Sequence, residues 1–245
     1  MPADRNEAAS RAVYAFQDEG SDLAETTQEQ SVYGMPELHR AAIAGARLVA
    51  NPGCYATSII LPLKPLVAAG LVNLSHGIVA DAKSGVSGAG KSLVPSNHFM
   101  YAADNLSAYK VFSHRHTGEL LEQIGIDGSQ IVFAPHLLPI PRGILSTIYV
   151  HFHEPQTRET IAQVYHKFFA GTPPKSPMVR LYDKGLPQIQ YSVRTCYADI
   201  GFQLAPDGRR AVIVSCLDNL LKGASGQAVQ NLNVMFGWPE SEGLE

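Results

Sequence analysis

Apolar and polar positions change their rhythm along the chain. Between residues 7 and 17, Ala8, Ala12, Ala15 and Phe16 recur at helical spacing and predict one short helix. Residues 18–31 carry almost nothing to bury and predict an irregular segment. From Val32 onward, compact pieces of strand and helix alternate. A turn at Tyr33-Gly34-Met35-Pro36 leads into a short helix over Glu37–Ala44, then a strand over Ala46–Ala50 that runs into Asn51-Pro52-Gly53. The continuous apolar run from Tyr55 predicts a helix that Gly70 closes. Further strands are predicted at Gly77–Ala82, Ile131–Pro135, Ile144–Phe152, Cys196–Leu204 and Ala211–Leu217, and helices at His116–Ile124, Thr157–Phe169 and Ser225–Met235. No internal repeat is visible. The pattern predicts an α/β (α+β) chain: a mixed, mainly antiparallel sheet with helices on one face, joined by fragments of a doubly wound sheet.

Composition narrows the function classes. The formal charge of −3 and pI near 6.3 supply no basic field for nucleic acid. The charge is uneven: residues 1–31 carry a local −5, and the other 214 residues sum to +2 and hold all nine histidines, so the chemistry is expected beyond the leader. The longest apolar stretch, Ala56–Leu74, is cut by Pro62, Lys64, Pro65, Gly70 and Asn73, which predicts no membrane span. The N-terminus begins charged, with no signal-peptide core. Cys54, Cys196 and Cys216 are odd in number and widely spaced, which fits a reducing, cytoplasmic setting better than a disulfide framework.

Cys54 is the most informative position. A thiol where a strand turns into a helix faces unpaired N–H groups and the positive helix end, so its pKa is expected to fall. Free cysteine is otherwise among the most buried residue types, so the plainer alternative is a small core hydrophobe. In His114-Arg115-His116-x-x-Glu119, His116 and Glu119 stand three apart on one helix face, which suits a carboxylate that orients an imidazole. Pairs such as His114 and His116, or His151 and His153, lack a third ligand at sensible spacing, so no metal site is predicted. The stretch from Asp81 to Lys91 is rich in glycine and serine and leaves a strand, as an anion-cradling loop would. Gly85–Ser92 fits the P-loop pattern superficially, but Pro95 and Ser96-Asn97-His98 stop the helix that a nucleotide triphosphatase needs there. Arg142, in a proline-rich turn, suits a carboxylate or phosphate, and Asn219 sits where a strand joins the final helix.

Several of these segments, in this order, resemble the N-acetyl-γ-glutamyl-phosphate reductases, relatives of aspartate-semialdehyde dehydrogenases. They are Asn51-Pro52-Gly53-Cys54-Tyr55, Asp81 through Gly90, His114-Arg115-His116, Pro135 through Gly143, and Asp218-Asn219-Leu220 through Asn231. The resemblance covers about residues 32–238. It implies NADPH-dependent reduction of an acyl phosphate to its semialdehyde in arginine biosynthesis, with Cys54 as nucleophile through a thioacyl intermediate. It implies acid–base work by His116 or His114, with Glu119 orienting. Arg115, Arg142 and Asn51 would contact substrate, and Ser84, Gly85, Gly88 and Asn219 would lie beside the nicotinamide. A homo-oligomer, dimer or tetramer, is implied as well.

One departure stands out: no G-x-G-x-x-G or similar turn precedes Val32, so most of the Rossmann unit that would hold the pyrophosphate is not found. The expected organisation is a remnant of that NADP-binding domain in residues 1–50 and 220–245, around a catalytic and oligomerisation domain in residues 51–219. Two alternatives follow from the departure: a non-catalytic oligomerising remnant, or a cysteine esterase that resolves its thioacyl group with water.

Overall fold

The computed structural model describes residues 31–90, 95, 98–170 and 178–245. The helix expected over 7–17 and, apart from Ser31, the irregular stretch expected over 18–31 lie outside these, as do Lys91 and Ser92 of the P-loop-like Gly85–Ser92 run.

Strands β1 (Val32–Tyr33) and β2 (Val49–Ala50) form a short parallel pair, linked by helix α1 (Pro36–Ala44). The strand expected over Ala46–Ala50 contracts to its last two residues, because Ala46 still donates back to the Ile43 carbonyl at 3.0 Å as α1 closes. The turn at Tyr33 is entered through a strand that alternation alone is too short to reveal.

The main sheet has seven strands. They are β3 (Ile78–Gly85), β4 (Ser107–Ala108), β5 (Ile131–Leu138), β6 (Ile144–His151), β7 (Val179–Leu181), β8 (Ala198–Leu204) and β9 (Arg210–Leu217), in the spatial order β4-β5-β3-β6-β9-β8-β7. The pairs β3–β5 and β7–β8 are parallel and the other four are antiparallel, so the sheet is mixed and mainly antiparallel. Strand β5 continues three residues beyond its expected end at Pro135. The Pro135 carbonyl accepts from Tyr109 N at 3.0 Å, so its missing N–H points the same way, toward the sheet edge.

Strand alternation decides which face is covered. Ile78, Ala80, Ala82, Ile131, Phe133, Ile144, Ile148, Ile200, Phe202 and Ile213 point into the core. Above them lie α2 (Cys54–Ala68), α3 (Thr117–Ile124) and α4 (Arg158–Ala170). The opposite face leaves Val79, Val132 and Tyr149 about two-fifths exposed (41%, 38% and 43%). Helix α2 carries Pro62 and Pro65 in its interior, each of which costs about 3 kcal/mol in an isolated helix. It forms regardless, because Ile59, Ile60, Leu61, Leu63 and Leu66 are all fully buried, each contributing roughly 1.5–3 kcal/mol. Gly70, at φ +68°, follows its end.

The two ends of the described chain meet. Helix α5 (Gly226–Phe236) packs on α1, and its Gln227 and Asn231 amides donate to the Gly34 carbonyl at 3.0 and 2.8 Å. A π-helical turn, Leu221–Ser225, precedes α5 and turns Lys222 wholly inward, where its ammonium meets Glu37 at 2.7 Å. None of the described helices is long and apolar enough to cross a membrane.

Candidate active site

The site begins where β2 gives way to α2. Gly53 is the helix N-cap in extended conformation and offers no capping side chain, so Cys54 opens the helix among unpaired backbone donors. Gly53 must lack a side chain: a Cβ there would lie 2.2 Å from His116 Nε2. Across the cleft the same condition falls on Gly223 of the π turn, where a Cβ would stand 2.7 Å from the Cys54 Cβ. Cys54 is thereby held between an imidazole and a bare backbone turn.

His114 and His116 both sit at the start of α3, with ring centroids 4.6 Å apart. The His116 N–H donates to His114 Nδ1 at 3.1 Å, so that nitrogen is an acceptor, and the His114 ring packs among Tyr55, Tyr109 and Phe133. Burial, reinforced by the Arg115 charge, pushes His114 down to about 4. Burial likewise holds His116 well below the ordinary histidine range, with the His114 and Arg115 charges adding to the effect. Both imidazoles are neutral near pH 7 and able to accept a proton.

Glu119 lies beside them, buried, with Oε1 4.0 Å from His116 Nε2. Its Oε2 accepts from the Gly53 N–H at 3.0 Å and from the Tyr33 hydroxyl at 2.7 Å. Burial outweighs these donors and raises the carboxyl to about 7. Among the described residues, Glu119 Oε1 and His116 Nδ1 have no hydrogen-bond partner.

Cys54 departs from expectation. Desolvation raises its thiol to about 11; the Tyr55 N–H and the Arg115 charge pull the other way, and the Glu119 charge pushes up further. The helix-terminal field is present, but the enclosing helix, π turn and imidazole remove more hydration than that field restores. Near neutral pH the sulfur is a thiol that needs a base, not a standing thiolate.

These groups share one cleft of about 290 Å³. Of the residues singled out from the sequence, Asn51, Cys54, Gly88, Arg115, His116, Glu119 and Asn219 line it. Arg115 is exposed there, and Asn219 is a brace: its carbonyl oxygen accepts from Gly143 N at 2.6 Å and its amide donates to Ser87 Oγ at 2.9 Å. Asn51 ties the cleft floor to the final helix, donating to the Ala224 carbonyl at 3.0 Å and accepting from Asn231 at 3.0 Å.

Four residues stand behind the lining. His114 supports His116, as above. Ser84 is buried and donates to the Gly85 carbonyl at 3.1 Å, and the Gly85 N–H is spent on Gly143 at 2.9 Å. Arg142 turns to Asp218, with 3.4 Å between Nε and Oδ2, and Asp218 accepts the N–H groups of Leu220 and Leu221 at 2.8 and 3.1 Å where the π turn begins. Two further residues shape the site: Tyr33, which no motif contains, and Gly223, which lies within the Asp218–Asn231 motif without a role of its own there. The Lys-Gly-Ala run after a strand was a visible signal for Gly223, whereas nothing local marks Tyr33, whose partner is 86 residues away.

A sheet of this topology, covered by helices on one face, is the fold of solved semialdehyde dehydrogenases. The family model described as "Semialdehyde dehydrogenase, dimerisation domain" matches residues 54–219, and the chain belongs to that family. The resemblance read from the motifs is also borne out. The chain is 44% identical over 220 residues to the N-acetyl-gamma-glutamyl-phosphate reductase of Clostridium kluyveri, covering 88% of this chain and 62% of that protein. It is 47% identical over 218 residues to the protein of the same name from Pelotomaculum thermopropionicum, covering 87% and 61%. The chain therefore spans less than two thirds of the length of these relatives. Among solved structures, aspartate semialdehyde dehydrogenase II from Vibrio cholerae shares the fold, with a TM-score of 0.64 at 17% identity, covering 85% of this chain and 69% of that one.

Proposed function

We propose that this chain carries the catalytic centre of an N-acetyl-γ-glutamyl-phosphate reductase, which converts the acyl phosphate to the semialdehyde with release of phosphate, as a step of arginine biosynthesis in the cytoplasm. The observation that carries this reading is the convergence of Cys54, His116, Glu119 and Arg115 on one cleft, with glycines at the two positions where any side chain would collide with the thiol or the imidazole.

Neutral His116 takes the Cys54 proton as the sulfur attacks the acyl carbon; the carbon–oxygen bond to phosphate breaks, leaving a thioester and inorganic phosphate. Arg115 at the cleft supplies the positive charge for the departing phosphate or the substrate carboxylate. Glu119, once ionised, steadies the imidazolium, in the manner of a carboxylate behind a catalytic histidine. When bound, NADPH supplies the hydride that reduces the thioester. His116 then returns its proton as the carbon–sulfur bond breaks and the aldehyde leaves.

The residues present suit the reactive end of that cofactor. Ser87, Gly88, Gly90 and the Asn219 amide form a polar, low-relief wall facing Cys54, and a volume of about 290 Å³ admits a nicotinamide ring and an acyl chain but not a whole dinucleotide. We place only the nicotinamide end here. The unit made of β1, α1, β2 and α5 forms the cofactor-side layer of this reading, and residues 51–219 the catalytic and oligomerisation domain. Homo-oligomers form through the open sheet face, where Val79, Val132 and Tyr149 leave apolar surface uncovered.

Mass spectrometry of the chain mixed with N-acetyl-γ-glutamyl phosphate tests the first half-reaction without cofactor. An acyl adduct on Cys54 that is absent in Cys54→Ser supports the reading. Phosphate release with no Cys54 adduct, or no reaction at all, overturns it.

A further inference from the structure

Tyr33 lies outside every motif that suggested the site, yet its hydroxyl reaches Glu119 Oε2 at 2.7 Å. Its backbone is fixed from two sides. Strand β1 pairs with β2, so Val32 N reaches Leu48 O at 3.0 Å and Gly34 N reaches Ala50 O at 2.8 Å; Gln227 and Asn231 of α5 hold the Gly34 carbonyl. The ring also meets His39 edge-on at 6.2 Å. The phenol is thus delivered to the carboxyl by the parallel strand pair, and β2 is the strand whose continuation carries Cys54.

Oε2 takes both available donors, Tyr33 O–H and Gly53 N–H, which turns the unpartnered Oε1 toward His116 Nε2. We propose that Tyr33 is a positioning residue for the acid–base pair: by clamping one carboxylate oxygen of Glu119 it aims the other at His116, and it makes that alignment conditional on β1 being seated against β2. The inference rests on the reading of the cleft given above and adds to it a residue and a dependence that the catalytic motif does not contain. The other groups that bear on this carboxyl are Arg115 and Glu122 on its own segment and Cys54 at the start of α2.

The sign is fixed by which form the phenol favours. A hydroxyl donor stabilises the carboxylate, so removing it pushes the Glu119 midpoint up from about 7. Because a hydrogen bond to a charged group is among the stronger ones, the expected shift is about one pH unit. The experiment is 13C NMR of the full chain uniformly labelled with 13C, with the Glu119 carboxyl and Tyr33 Cζ resonances assigned by through-bond correlation to their backbones. Wild type and Tyr33→Phe, which keeps the ring and its contact with His39, are titrated side by side. A midpoint moved upward by about one unit, with the wild-type Tyr33 13Cζ signal titrating at the Glu119 midpoint, sustains the proposal. An unmoved midpoint in Tyr33→Phe, or a Tyr33 signal flat through the Glu119 titration, overturns it. The second measurement needs only wild-type protein, so it decides even if the variant folds poorly. Neither readout requires turnover: a shifted midpoint without any Cys54 adduct would sustain the clamp and refute the reductase reading, and an adduct with an unmoved midpoint would do the reverse.

Discussion

Two clusters of buried polar side chains, one joining the two ends of the described chain and one lining the cleft, treat burial in opposite ways. In the first, the Lys222 ammonium meets Glu37 Oε1 at 2.7 Å and Gln230 Oε1 at 2.6 Å, Gln230 donates to Glu240 at 2.6 Å, and Glu240 pairs with Arg40. In the second, Glu119 and His116 approach only to 4.0 Å. Burial works against ionisation of both Glu37 and Glu119. For Glu37 the Lys222 charge and its hydrogen bonds more than offset that, holding it below the ordinary carboxylate value of 4.5, whereas Glu119 has no cation in contact and rises to about 7. Burial therefore accompanies a permanent charge in one place and a titratable group in the other. The difference lies in whether a full charge of opposite sign sits at contact distance.

Breaking the first cluster should cost folding and breaking the second should cost chemistry. Lys222→Met strands Glu37 without its cation and is expected to lower the unfolding free energy by about 3–5 kcal/mol in urea titrations, with much of the loss recovered in Lys222→Met/Glu37→Leu. An equal loss in both variants would mean that the ion pair is not what the site needs. His116→Gln is expected to slow acylation of Cys54 by about 10²–10⁴-fold in single-turnover measurements while the urea midpoint stays or rises, because an underserved buried ring is removed. Gly223→Ala places a methyl 2.7 Å from the Cys54 Cβ and should cost about 1–3 kcal/mol together with slower acylation, which ties the two clusters through neighbouring residues. Iodoacetamide modification of Cys54 should keep accelerating with pH beyond 9, toward a midpoint of about 11; a plateau near pH 7 would restore the picture of a standing thiolate. The smallest effect is a slope. Folded Glu119 keeps its proton up to about pH 7 while the unfolded chain releases it near 4.5, so its contribution to stability declines as pH rises through that window, and Glu119→Gln should flatten the decline.

Much of this was legible in the residues themselves. Alternation at 144–151 located that strand to within a residue, because one of its faces is against helices and the other is less covered, so side-chain polarity reports the register; the strand at 210–217 was found to within a residue as an apolar run, since it is buried on both faces. The glycine–cysteine junction and the histidine–glutamate spacing pointed to the cleft because both are local. What stayed hidden depends on distance along the chain. The parallel partnership of β3 with β5 leaves no mark in either strand, and Ser84, Gly85 and Arg142 stand behind the lining because loops far apart consume their hydrogen-bonding groups. The Cys54 thiol went the other way from expectation for the same reason: a helix terminus is a sequence-local feature, whereas desolvation is imposed by a π turn about 170 residues later.

That π turn sets the phase of everything after it. The wide loop at Leu221–Ser225 holds one residue more than an α-helical turn would, and each residue of α-helix advances the side chains by about 100°. Deleting a single residue there would let the helix run on regular and unbroken, yet Gln227, Gln230 and Asn231 would all rotate away from Gly34, Glu37 and Asn51 together. The seam between the two ends of the described chain is in this sense a combination lock, opened by an indel that no change in helix propensity would betray.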